Sequence, residues 1–201
     1  MLSSIHPLGE RSRNNRWGLT AGAFVLGAIA GGVLLGAVAG GLGYLVMLVL
    51  PLSGLGVVVV VVGLLAASAL ADLSRKGRPL PGIHRQVNED WLGTYRGWVY
   101  GLGFGFQLGL GVVTYVATFA VPVMLIIAVL TGSPAAGALI GAVFGFFRGA
   151  AVLTVSRINH PQQLNRFHSG MARLAVPAHT SAVAAQMTVA LVVVGALVAV
   201  A

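Results

Sequence analysis

The stretch Trp17–Leu50, WGLTAGAFVLGAIAGGVLLGAVAGGLGYLVMLVL, contains no ionised side chain. About 20 apolar residues carry a helix across ~30 Å of hydrocarbon, and this run exceeds that length. Trp98–Phe147 and Ser181–Ala201 are equally free of charge. Only 8% of all residues are charged, and the mean hydropathy is +0.93. These runs predict an all-α fold, a polytopic bundle of transmembrane helices whose first partner is the lipid bilayer.

Composition narrows the function classes. The 201 residues suit one compact membrane domain. Twelve Lys+Arg stand against four Asp+Glu, a net charge of +8. In a soluble chain that excess would suggest nucleic acid. Here the basic residues border apolar runs, which is the bias of cytoplasmic loops, so no nucleic-acid partner is expected. Cysteine is absent. That excludes disulfides, a thiol relay, iron–sulfur clusters and thiolate zinc within this chain. Residues 1–16 resemble the charged start of a signal peptide. The apolar run behind them is far longer than the ~7–15 residues of such a peptide, so a retained signal-anchor is expected. The Ala, Gly, Val and Arg usage looks like that of a high-GC bacterial genome, which points to a bacterial inner (plasma) membrane.

Charge decides the threading. Five apolar blocks can be read: Trp17–Leu50, Gly54–Leu73, Trp98–Leu130, Ala135–Ser156 and Ser181–Ala201. The first and third hold about 33 residues, ~50 Å of helix, long for one crossing and short for two. Arg11, Arg13 and Arg16 precede the first block. Arg75, Lys76, Arg78, Arg85 and Arg96 lie in 74–97, and Arg157, Arg166 and Arg173 in 157–180. The links near Pro51–Ser53 and Thr131–Pro134 carry no charge. Single crossings put every basic segment on one side. The expected order is a cytoplasmic basic arm (1–16), a first hairpin (17–73), a cytoplasmic loop (74–97), a second hairpin (98–156), an interfacial helix (157–180) and a last span (181–201). The N-terminus is then cytoplasmic. Six or seven spans would result if the long blocks split at Gly40–Gly43 or near Pro122. Arg16-Trp17 and Arg96-Gly97-Trp98 open the two hairpins in the same sense, which suggests a parallel repeat.

Local patterns add detail. Gly137, Gly141, Gly145 and Gly149 make consecutive small-xxx-small steps, the mark of close helix packing in lipid. Either the two hairpins pack through this face, or it meets a further copy or another membrane subunit. Trp17, Trp91, Tyr95, Trp98 and Tyr100 suit an interfacial aromatic belt. Asn88-Glu89-Asp90 suits a helix start before Trp91. Leu164, Phe167, Met171 and Leu174 form one face of a helix opening at Pro161, suited to the interface plane. Val57–Val62 reads as lipid-facing filler.

Polar groups within the spans are few: Gln107, Thr114, Tyr115, Thr118, Ser68, Thr154, Gln186, Thr188 and Arg148. Arg148 lies roughly 13 Å along a helix axis from the basic boundary at Arg157. A buried arginine must snorkel, reach carbonyls or face an anion. Gln107, Thr114, Thr118 and Arg148 are therefore the candidate solute-lining set, with Pro122 a possible break freeing carbonyls nearby. Glu10 and Asp72 lie near the inner edge, where they can meet only a snorkelling side chain. No carboxylate is expected at midplane, which disfavours a proton relay. His6, His84, His160, His168 and His179 all fall in arm or loop segments, so neither haem nor a metal site is expected. No catalytic motif appears, so the chain is not expected to be an enzyme.

The stretch YRGWVYGLGFGFQLGLGVVTYVATF from Tyr95, with GALIGAVFGFFRG ending at Gly149, is similar to membrane domains of the cytochrome c biogenesis (DsbD/CcdA-type) and sulfite-exporter-type groups. The resemblance covers about a quarter of the chain. It implies a polytopic transport scaffold. The first group runs a thiol relay through paired cysteines, which this chain lacks. Both groups are usually read as inverted repeats, whereas the charge pattern here implies parallel hairpins. Two functions follow as expectations. One is transport of a small solute, anionic if Arg148 faces it. The other is a non-catalytic accessory or assembly subunit of a larger membrane complex.

Overall fold

A computed structural model of the chain describes residues 5–49, 54–75, 91–111 and 120–200. These residues form helices and no strand. The helices are α1 (Pro7–Ser12), α2 (Trp17–Val49), α3 (Gly54–Arg75), α4 (Trp91–Thr94), α5 (Gly97–Gly109), α6 (Ala120–Leu130), α7 (Pro134–Ala150) and α8 (Pro161–Val200). A 3-10 segment, Ala151–Val155, continues α7. Three helical stretches are long and apolar enough to cross a membrane: Trp17–Val49, Gly54–Ser74 and Pro134–Val155. Val121–Leu130 is apolar but shorter. The link Pro51–Ser53 and the expected cap Asn88–Asp90 lie outside the described residues.

Helix α2 is the axis of the bundle. Gly27 approaches Leu102 and Phe106 of α5, and Gly31 approaches Phe106 and Leu110. The order ascends on both helices, so α2 and α5 run parallel. Gly32, Gly36 and Gly40 meet Gly141, Gly137 and Ser133. That order descends, so α7 runs antiparallel to α2. Gly43 meets Val129 near the end of α6. The described parts of the third apolar block thus flank α2 from Thr20, beside Gly101, to Gly43. Helices α2 and α5 begin at one end of the bundle, and α7 finishes there. Arg13, Arg16 and Arg96 gather at this basic end.

Size sorting reveals what surrounds the bundle. The buried positions of α2 are mostly Gly and Ala, with Thr20 and Phe24. Most of its leucines and valines point outward; Val49 is 77% exposed, while Val25 packs on the core. On α7 the glycines are buried, while Leu139 and Phe147 are 67% and 70% exposed. Water would penalise such rows. Lipid does not, and small residues let backbones touch where apolar burial gives no drive to associate. In the six-valine run, Val59 and Val60 are exposed, whereas Val61 and Val62 pack against Leu65, Val123 and Ala190.

The face Gly137–Gly149 is filled by α2. Added Cβ atoms at Gly137, Gly141 and Gly145 would strike the carbonyls of Gly36, Gly32 and Ala28, and one at Gly149 would lie 2.8 Å from the Ala28 Cβ. At the basic end a larger-residue core joins Ile5, Ala21, Phe24, Tyr100, Phe104, Val152, Val155 and Ile158. The Leu8 amide donates to the Ile158 carbonyl at 3.3 Å, tying the arm to the end of α7.

The final forty residues differ from expectation. An interfacial helix and a separate span were expected; one helix, Pro161–Val200, covers both. No glycine or cap interrupts Ala175–Ser181. Pro177 removes one donor without ending the helix. Leu164 and Phe167 pack on the basic-end core, while Met171 and Leu174 are exposed. Further on, Val183, Gln186 and Ala190 are buried. Gln186 reaches Ser68 and Asp72, and Ala190 packs on Leu65, so this half of α8 runs antiparallel to α3.

Candidate functional site

The third apolar block is not one continuous helix. Helix α5 stops at Gly109, with Leu110 as C-cap and Gly111 at φ +66°. The Leu110 amide donates to Phe106 and the Gly111 amide to Leu108, which closes the last turn. A glycine in the left-handed region just past a helix end is a common stop, because no Cβ opposes that backbone. Pro122 lies within α6, and the residues just before that helix lie outside the described residues. Leu110 packs at Gly31, close to the midpoint of α2, so the stop lies deep in the bundle.

Arg148 stands against this stop. A Cβ on Gly111 would lie 3.3 Å from Arg148 Nη1 and 3.2 Å from Phe144 Cε1. The Arg148 guanidinium is 5.2 Å from the centroid of the Phe144 ring, one turn earlier on α7. The ring face attracts the cation. The C-terminal end of α5 carries partial negative charge and does the same. Gln107 precedes Gly111 by one turn of α5 and is half-buried. Arg148 and the end of α5 are therefore brought together. Thr114 and Thr118, the other two members of the expected set, lie outside the described residues.

Two polar clusters were not legible as clusters. Between α3 and α8, Ser68 Oγ lies 2.5 Å from Gln186 Oε1 and 2.9 Å from the Leu65 carbonyl. Gln186 Nε2 donates to Asp72 Oδ2 at 3.2 Å. All three side chains are buried. Asp72 is thus not limited to a snorkelling partner. Ser68 and Asp72 are one turn apart on α3, so a single amide spans both. That spacing was the available signal; the partner on α8 was not. Gln186→Leu is expected to lower the stability of the detergent-solubilised protein by about 1 kcal/mol, the scale of an interhelical hydrogen bond in a membrane protein. Thermal unfolding measures it, and a melting temperature equal to wild type would mean the bridge contributes nothing.

The second cluster sits at the basic end. Glu10 is 0% exposed. The Tyr100 hydroxyl lies 2.5 and 2.6 Å from its two oxygens. Thr20 Oγ1 donates to it at 2.9 Å, and Arg13 Nη1 at 3.2 Å. Asn15 Nδ2 and Arg13 Nη1 both reach the Tyr100 hydroxyl, at 3.2 and 3.3 Å. His6 Nδ1 accepts from the Gly9 amide at 3.1 Å and caps α1. The expected roles of Glu10 as an edge acid and Tyr100 as a belt residue are thereby corrected. The acid is the centre of a latch that fastens α1 to the starts of α2 and α5. Gly97 allows it, since a Cβ there would crowd Thr20, Asn15 and Glu10.

No protein-family model matches the chain, and neither a curated protein nor a solved structure matches it.

Proposed function

We propose that the chain is a multi-pass integral membrane protein with five crossings and a cytoplasmic N-terminus, and that it passes a small anionic solute. The parallel course of α2 and α5 supports one crossing for each long block. The gathering of Arg13, Arg16 and Arg96 at one end supports placing that end in the cytoplasm. The observation that carries the functional reading is the α5 stop at Gly111, deep in the bundle, with the Arg148 guanidinium against it. Interrupted helices are tolerated at membrane depth only where protein or a polar cavity surrounds them. They recur where transporters hold charged solutes. Arg148 supplies the positive charge for an anion, Phe144 holds it in place, and Gln107 offers a neutral donor one turn away. The resemblance to sulfite-exporter-type transporters implies the same class of activity.

The purified protein is to be reconstituted in liposomes and tested for uptake of small inorganic oxyanions. Arg148→Ala is expected to cut flux about tenfold or more, because a hydrogen bond to a charged group contributes ~1.5–3 kcal/mol. Arg148→Lys should retain part of it. Full flux through a well-folded Arg148→Ala protein would remove this site. The rival reading, an accessory or assembly subunit, draws on the scarcity of ionisable groups in the spans and on small-residue faces; of these, Gly137–Gly149 packs on α2. Contact with a second copy or another subunit would instead use outward apolar rows such as Leu139, Val143 and Phe147.

A further inference from the structure

We propose that the basic end of the bundle holds a binding site for the phosphate of an anionic phospholipid headgroup, built on Arg16 and Arg96. The parallel packing of α2 and α5 brings these two arginines together from distant parts of the chain. Each immediately precedes its helix. Asn15 Oδ1 accepts from the Gly97 amide at 3.4 Å and links the two starts. Two open concavities meet there and share Asn15 and Arg96. One has a volume of about 450 Å³ and is lined by Arg13, Tyr95 and Arg96 among others. Its neighbour, about 370 Å³, is lined by Arg16, Leu19, Arg96 and Trp98 among others.

Charge sets the ligand class. Arg13 is neutralised by Glu10 at 3.2 Å. Glu10 is enclosed and already engaged by Tyr100 and Thr20, so it is not available to the concavities. Arg16 and Arg96 make no ion pair among the described residues, and both are exposed. Two uncompensated guanidinium groups beside the starts of two helices, of 33 and 13 residues, favour a phosphate.

Shape selects a lipid over a free ion. The walls are amphipathic: arginines and asparagines on one side, exposed Leu19 and Trp98 on the other. Leu19 and Trp98 are 59% and 46% exposed, and both lie past the arginines in the direction of the apolar bundle. A phosphodiester on Arg16 and Arg96 therefore has an apolar path for its acyl chains. Trp98 and Tyr95 are also ring types that favour headgroup depth.

The test uses the full chain in mild detergent, titrated with phosphatidylglycerol or phosphatidylcholine of equal chain length and read by native mass spectrometry. Wild type should retain phosphatidylglycerol in preference, by about fivefold for each arginine. Arg16→Gln/Arg96→Gln should abolish the preference. Arg166→Gln/Arg173→Gln on α8 removes the same formal charge and should leave it intact. The thermal shift given by phosphatidylglycerol is the second readout, since a ligand bound only to the folded state raises the melting temperature. It should vanish in the first double variant alone. Equal retention of the two lipids by wild type, or preference lost equally in both double variants, would overturn the site. Inorganic phosphate giving the same thermal shift as phosphatidylglycerol would overturn the lipid assignment and leave a soluble phosphate ester as the ligand.

Discussion

Gly141→Leu is expected to prevent assembly of the bundle. A Cβ at Gly141 would collide with the Gly32 carbonyl and lie 3.2 Å from the Gly36 Cα. Both obstacles are backbone, so no rotamer change relieves the collision. Overpacking a core commonly costs ~1–3 kcal/mol even where side chains can adjust. Here α7 must move away from α2, and the contacts at Gly137 and Gly145 go with it. The expected cost exceeds 3 kcal/mol, a large part of the ~5–15 kcal/mol that holds a typical domain. Gly63→Leu is the matched control. Gly63 is exposed on α3, and an added Cβ there meets nothing within 4 Å. Size-exclusion chromatography in mild detergent should show a monodisperse peak for wild type and Gly63→Leu, and aggregate for Gly141→Leu. A monodisperse Gly141→Leu protein with wild-type melting would mean that α7 does not pack on α2 through this face.

The second large effect is expected from Glu10→Ala. Removing the carboxylate leaves Thr20 and the Tyr100 hydroxyl, both buried, without their acceptor, and Arg13 without its ion pair. Two buried donors lose their acceptor, at ~1–3 kcal/mol each, whereas Arg13, 26% exposed and also in contact with Tyr100, stays solvated. Tyr100→Phe should cost less, ~1.5–3 kcal/mol, since it removes one donor to a charged acceptor. Helix α1 has only six residues, too short to persist without its attachments. Glu10→Ala should therefore release the arm and expose Arg11 and Arg13 to trypsin. Limited proteolysis followed by intact-mass measurement reads this directly. Wild-type resistance in the variant would show that other contacts, such as Leu8 to Ile158, suffice to hold the arm.

Part of the candidate site was visible in the residues. Arg148 is the only charged residue between Trp98 and Ser156, which made it conspicuous in an apolar context. Its place beside a helix end was not visible. Gly111 takes a backbone angle that ends α5, and nothing in the local spacing singled that glycine out from the others in the block. The Glu10 latch was hidden for a different reason. An acid in a basic arm normally stays in water. Burying it required donors from Thr20 of α2 and Tyr100 of α5 beside the neighbouring Arg13, and the two from other helices leave no local spacing to read. The Ser68–Gln186–Asp72 bridge was half visible, in the one-turn spacing on α3.

The sequence alone determined that this chain is helical and suited to lipid, because uncharged runs longer than a bilayer crossing have few other stable states. It also determined where close packing occurs, because glycine at four-residue spacing makes a backbone surface on one helix face. Only the tertiary structure decided which faces meet. Glycine carries no side chain to specify a partner, so Gly137–Gly149 suited α2 and a foreign helix equally until the whole bundle was assembled. The same holds for the buried charges. Whether Glu10, Asp72 and Arg148 are exposed or enclosed depends on neighbours far along the chain, and the free energy of burying a charge is set by those neighbours rather than by the residue itself.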